Sequence, residues 1–202
     1  MAGYNTLSGR DLERIRVLAD GVFAVAMTLL VLDLRLPAGE VADSGALRDQ
    51  LGELGPEIAA YALSFTMLGT FWLAVHAVLD QARGSDRTLA WSVLTFLFFV
   101  TTLPFSASVL ADHAHLRLAV ALYWANLAML GAGLAWQLWH VSRAGLAEEG
   151  EALVLVRRRL VLAQALYAAA ALLALLSPVA AIAGLALVQL FFMVSPRLPW
   201  RT

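Results

Sequence analysis

Between Val17 and Leu36 only Asp20, Asp33 and Arg35 are charged, and five more largely apolar runs follow along the chain. Roughly 20 mainly apolar residues make a helix long enough to cross a hydrocarbon layer about 30 Å thick. That layer holds no water, so backbone N–H and C=O groups must bond within the segment, as a helix allows. The runs lie at about 17–36, 56–79, 89–110, 116–141, 160–176 and 179–194. They predict an all-α, polytopic membrane protein of six transmembrane helices, forming a single transmembrane domain over 1–202. The composition agrees. Hydrophobic residues make up 61% and charged residues 14%, against about 45–50% and 25% in soluble domains, so little is left for a soluble domain.

Cysteine is absent, which excludes disulfides and thiolate metal sites. All 14 basic residues are Arg, in a chain rich in Ala and Leu. That bias is typical of GC-rich bacterial genomes and points to a bacterial inner membrane. The first run is too long for the core of a signal peptide and no cleavage site follows, so it is expected to be retained.

Arginine placement sets the expected orientation. With the N-terminus in the cytoplasm, Arg10, Arg14, Arg16, Arg83, Arg87, Arg143, Arg157, Arg158, Arg159, Arg197 and Arg201 lie inside. Only Arg35, Arg48 and Arg117 lie outside. Both termini are therefore expected to be cytoplasmic. The external segment 37–55, with Glu40, Asp43, Asp49 and Glu53, reads as a solvated connector or as an acidic vestibule that concentrates cations. The internal segment 142–159 reads as a helical connector ending in a basic anchor at Arg157 to Arg159. Ser177-Pro178 predicts a tight hairpin, and Pro104 is expected to kink the third helix.

At 100° per residue, Val25, Leu29 and Leu32 of the first helix fall within about 60° of one another. Leu18 and Leu36 extend the stripe, Gly21 lies beside it and Thr28 sits on its shoulder. Asp20 points about 140° away from Val25. An aliphatic stripe serves ordinary packing or, where copies of a helix converge, a constriction that closes by expelling water. Thr28 reads either as a pore hydroxyl or as one bonded to a carbonyl one turn back.

Asp20 sits about 5 Å into the inner leaflet, a depth it shares with His76, Ser92 and Gln164. A charge in hydrocarbon is costly, about 2.5 to 3.5 kcal/mol for Asp at the centre of a helix. These groups are expected to form a structural network in which Arg16 and Asp20 pair at i, i+4. A proton relay through Asp20 and His76 is the alternative.

The same residues carry a resemblance. Arg14, Asp20, Phe23, Ala24, Ala26, Thr28, Leu29 and Leu30 match the first-helix motif of the transmembrane protein 175 family of potassium channels. Leu18 and Ala19 replace the Phe and Ser usual there. Phe71-Trp72-Leu73-Ala74-Val75-His76, Leu103-Pro104-Phe105-Ser106 and Ala121-Leu122-Tyr123-Trp124-Ala125-Asn126 resemble further family signatures. The resemblance implies a potassium-permeable homotetramer whose pore is lined by the first helix. It implies Val25, Leu29 and Leu32 as the hydrophobic gate and Thr28 as a selectivity layer. Arg14, Asp20, Trp72 and His76 would form a structural hydrogen-bond network. Potassium ions and the lipid bilayer are the implied partners, with no nucleic acid, cofactor or resident metal.

No Thr-Val-Gly-Tyr-Gly filter, phosphate loop, HExxH or nucleophile elbow occurs, so an enzyme is not expected. Asp112, His113 and His115 read as a solvated loop, and a haem held by His76 and His140 finds no further support. The rival functions are a proton-coupled transporter using Asp20 and His76 and a membrane protein with no flux. Absence of an internal repeat weakens the transporter reading.

Overall fold

A computed structural model describes residues 6–7, 9–36, 43–147 and 150–194. The side chains of Arg10, Glu40, Arg197 and Arg201, invoked above, lie outside the described side chains. The fold is all-α apart from one short ribbon. Helix α1 covers Gly9–Leu29 and tightens into a 3-10 turn over Leu30–Asp33. Next come α2 (Ser44–Glu53), α3 (Gly55–Leu79), α4 (Arg87–Asp112), α5 (Arg117–Arg143), α6 (Glu151–Leu172) and α7 (Pro178–Val194). In the ribbon, β1 (Thr6–Leu7) runs antiparallel to β2 (Ser85–Asp86), with Thr6 opposite Asp86 and Leu7 opposite Ser85.

Among the described residues, five segments are long and apolar enough to cross a membrane: Asp11–Asp33, Gly55–Leu79, Arg87–Asp112, Arg117–Arg143 and Glu151–Leu175. The sixth apolar helix, α7, has 17 residues and reaches about 25 Å at 1.5 Å per residue. The chain is therefore a multi-pass membrane protein. Helices α4 and α5 are the best-buried spans and form its centre. Phe96 packs on Gly133, where an added Cβ would stand 3.1 Å from the Phe96 Cβ, so a small residue is needed for this approach. Helix α1 lies against α4 and α3, while the α6–α7 hairpin packs on α5 and α3. Pro104 is buried within a continuous α4. The hairpin turns through a 3-10 segment at Leu173–Leu175 and through Ser177, whose carbonyl accepts from the Ala181 amide at 3.1 Å.

Two connectors differ from the sequence reading. The external segment is not a plain loop. It contains α2, started by the Asp43 carboxylate, which accepts from the Gly45 and Ala46 amides at 2.8 Å. The helix expected at 160–176 begins at Glu151, so Arg157 to Arg159 lie on α6 itself.

Candidate pore helix

Burial divides α1 into two faces. Leu12, Ala19, Phe23, Ala26 and Leu30 are buried against the bundle. Phe23 meets Phe96 of α4 with ring centroids 6.0 Å apart. Ala19 is fully buried. It occupies the position where the motif carries serine, and its methyl fills a packed contact there.

The opposite face is bare. Gly21, Val25, Thr28 and Leu32 are exposed at i, i+4, i+7 and i+11, a single helical line, with Leu18 and Leu29 beside it. Val25 is 58% and Leu32 57% exposed, so within the protomer this stripe packs on nothing that hides it. The Thr28 hydroxyl donates to the Val25 carbonyl at 2.8 Å. Its one proton is thereby committed, and its oxygen keeps lone pairs available toward the exposed side, which is what a cation needs.

Polar ties hold the first half of α1 to α3. Asp20 Oδ1 accepts from Trp72 Nε1 at 2.8 Å and stands 3.1 Å from His76 Nε2. His76 Nδ1 donates to the Trp72 carbonyl at 2.9 Å, and the two rings lie 4.8 Å apart. A carbonyl only accepts, so Nδ1 holds a proton.

One turn earlier, an Arg16 guanidinium nitrogen donates to the Leu79 carbonyl at 2.7 Å and lies 3.3 Å from Asp80. A cation there completes the C-terminal end of α3. The expected Arg16–Asp20 pair is thus replaced by two separate ties to α3. Arg14 lies apart from Asp20 and His76; its carboxylate neighbour is Asp11 at 3.9 Å, and its side chain is 84% exposed. Six residues separate Arg14 from Asp20, which turns the two side chains about 120° from each other.

The shared-depth cluster does not converge. Ser92 donates to the Leu89 carbonyl of its own helix at 2.7 Å, and Gln164 donates to the Leu127 carbonyl at 3.3 Å. Common depth does not give a common helix face, and these side chains enter different interfaces. His140 is held by the Asp86 carboxylate at 2.8 Å, while His76 faces Asp20, so each histidine has its own acid and the two do not form a haem pair. Asp112, His113 and His115 are exposed, and no metal-holding group of three such residues occurs among the described residues.

Two further polar features went unread in the sequence. Gln189 donates to the Thr66 carbonyl at 2.8 Å and to Thr70 Oγ1 at 2.7 Å, and accepts from Tyr167 OH at 2.9 Å. This joins α3, α6 and α7 at mid-depth. Asn126 donates to Thr102 Oγ1 at 2.6 Å between α5 and α4. Lone amides inside apolar runs were the available signal for both.

The sequence profile described as "Endosomal/lysosomal potassium channel TMEM175" matches residues 14–104, which contain both faces of α1 and the Trp72–His76 pair. Over these residues the chain is similar to the transmembrane protein 175 family. It is 35% identical over 138 residues to a protein named as a potassium channel from Streptomyces collinus, covering 65% of each chain. It is also 35% identical over 98 residues to the Homo sapiens protein named "Endosomal/lysosomal proton channel TMEM175", covering 46% of this chain and 19% of that one. The chain thus spans just under two thirds of the first relative and about a fifth of the second. Among solved structures, the crystal structure titled as a lysosomal potassium-selective channel TMEM175 homolog from Chamaesiphon minutus superposes with a TM-score of 0.80. It covers 94% of this chain and 100% of its own at 22% identity, a likeness of fold.

Proposed function

We propose that this chain is one subunit of a potassium-permeable cation channel, a homotetramer in which four α1 helices surround the pore. The observation that carries the reading is the exposed line Gly21, Val25, Thr28 and Leu32 on a helix anchored from behind by α3 and α4. One helix cannot enclose a path, so copies of that face must meet. Val25, Leu29 and Leu32 then form the dewetting constriction and Thr28 the hydroxyl layer. Arg14, Asp20, Trp72 and His76 are assigned to support, with Arg14 outside the contacts that join Asp20, Trp72 and His76 within one protomer. The names of the bacterial relatives support potassium as the permeant ion.

The deciding experiment is potassium flux from purified protein in liposomes, with and without a proton gradient. Passive flux at zero proton gradient supports the channel. Flux that appears only with a proton gradient supports proton-coupled transport through Asp20 and His76, a reading favoured by their 3.1 Å contact. A stably assembled protein with neither flux is a non-conducting membrane protein.

Thr28→Ala is expected to lower the preference for potassium over sodium by about five-fold, since a lost hydroxyl ligand is worth about 1 kcal/mol. Reversal potentials measure it. An unchanged ratio in an assembled protein removes Thr28 from the selectivity layer.

The arginine count supports a bacterial inner-membrane protein with both termini cytoplasmic. The chain lacks cysteine, so single cysteines report sidedness directly. Labelling from outside is expected at position 45 and not at positions 5 or 150. The reverse pattern inverts the topology.

A further inference from the structure

A cleft of about 580 Å³ opens between α3, α6 and α7, on a wall of the bundle distinct from the exposed face of α1. Its lining runs along α3 from Phe65 to Ala77, about 18 Å at 1.5 Å per residue. That approximates one leaflet's share of a hydrocarbon layer about 30 Å thick. The walls are mainly apolar. Ala163 and Leu160 of α6 face Leu73 and Trp72 of α3 across the space.

One charged side chain lines the cleft. Arg159 sits at the arginine-rich end, half-buried, while its neighbours Arg157 and Arg158 are exposed. Arg159 takes part in no ion pair among the described residues. An apolar slot one leaflet deep, closed at the membrane surface by a single cation, matches an amphiphile with one aliphatic chain in the slot and a phosphate at its mouth. A neutral chain leaves Arg159 without a counter-charge. A free phosphate leaves the slot unfilled.

We propose that this cleft is a binding site for an anionic phospholipid, its acyl chain lying against Trp72 and Leu73 and its headgroup phosphate paired with Arg159. Trp72 joins the site to the pore helix, since the indole lining the cleft also donates to Asp20.

Native mass spectrometry of the full-length protein released from bilayers of equal phosphatidylglycerol and phosphatidylcholine tests the site, and it does not require ion flux. Retention of phosphatidylglycerol over phosphatidylcholine is expected to be about five-fold, the advantage of one arginine near an anionic headgroup. Arg159→Gln should bring the ratio to parity, whereas Arg158→Gln should leave it unchanged. Ala163→Phe, which fills the slot, should reduce retention of both lipids, with assembly checked by size exclusion. Millimolar glycerol phosphate should not displace the lipid. Equal retention of the two lipids by the wild type overturns the proposal. So does a preference that survives Arg159→Gln, or displacement by the soluble phosphate. If Ala163→Phe leaves retention unchanged in an assembled protein, the slot is occupied by something other than lipid, a neighbouring subunit included, and the proposal falls.

Discussion

Val25→Asn is expected to raise basal cation flux by on the order of ten-fold while leaving the assembled protein intact; a barrier change of about 1.4 kcal/mol suffices for that factor. Asn is close to Val in size, so the bore of the ring changes little. What changes is wetting: an amide holds water where a valine expels it. Val25 is 58% exposed on the protomer, so the substitution opens no cavity in the core. The backbone tie from Thr28 to the Val25 carbonyl does not involve the side chain. Flux into liposomes, beside size exclusion, measures the outcome. If the stripe faced lipid or packed between helices, the amide would gain no water and flux would stay at the wild-type level. Unchanged flux in an assembled Val25→Asn protein removes this face from the permeation path.

The two faces of α1 were legible because helix periodicity is a local property. Spacing alone put Val25, Leu29 and Leu32 on one stripe, and these residues are exposed, while Phe23, Ala26 and Leu30 are buried. The role at a pore proposed for them is not legible in that spacing. An aliphatic line reads alike against lipid, a neighbouring helix or a dry constriction, and only the motif resemblance separated these.

Helix ends were harder to read than helix centres. Hydropathy marks what lies in hydrocarbon, so it put the start of this span at 160, whereas the helical connector read before it is continuous with α6 from Glu151, and Arg157 to Arg159 carry the helix toward the surface. It also missed α2, whose Leu47 and Leu51 are exposed and whose start depends on the Asp43 cap. Polar partners were legible in depth and not in direction. Asp20 and His76 share a level and meet; Ser92 and Gln164 share that level and do not join them. Arg16 had Asp20 one turn away, yet it takes the Leu79 carbonyl at the end of α3. A choice of that kind depends on how α1 and α3 cross, which no local pattern encodes.

Asp20→Ala is expected to cost assembly more than it alters permeation. The substitution removes the acceptor of Trp72 Nε1 at 2.8 Å and the carboxylate that stands 3.1 Å from His76 Nε2. In an isolated protomer the Asp20 side chain is 52% exposed. Water screens that contact, and the loss there is worth about 1 kcal/mol. In the proposed tetramer, copies of α1 would come together and draw water away from this level of the helix. Leaving the Trp72 donor and the His76 ring without that partner there approaches the roughly 3–5 kcal/mol of a broken buried pair. The penalty therefore falls mainly on the assembled state. Size exclusion should show loss of the tetramer peak and a several-fold lower yield, with helical content retained. Asp20→Asn keeps an acceptor oxygen for Trp72 and is expected to recover part of the assembly, because the hydrogen bond persists while the charge is gone. If Asp20→Ala instead assembles fully and its flux loses dependence on pH, the carboxylate carries protons, and the network at Asp20 and His76 belongs to the conducting path.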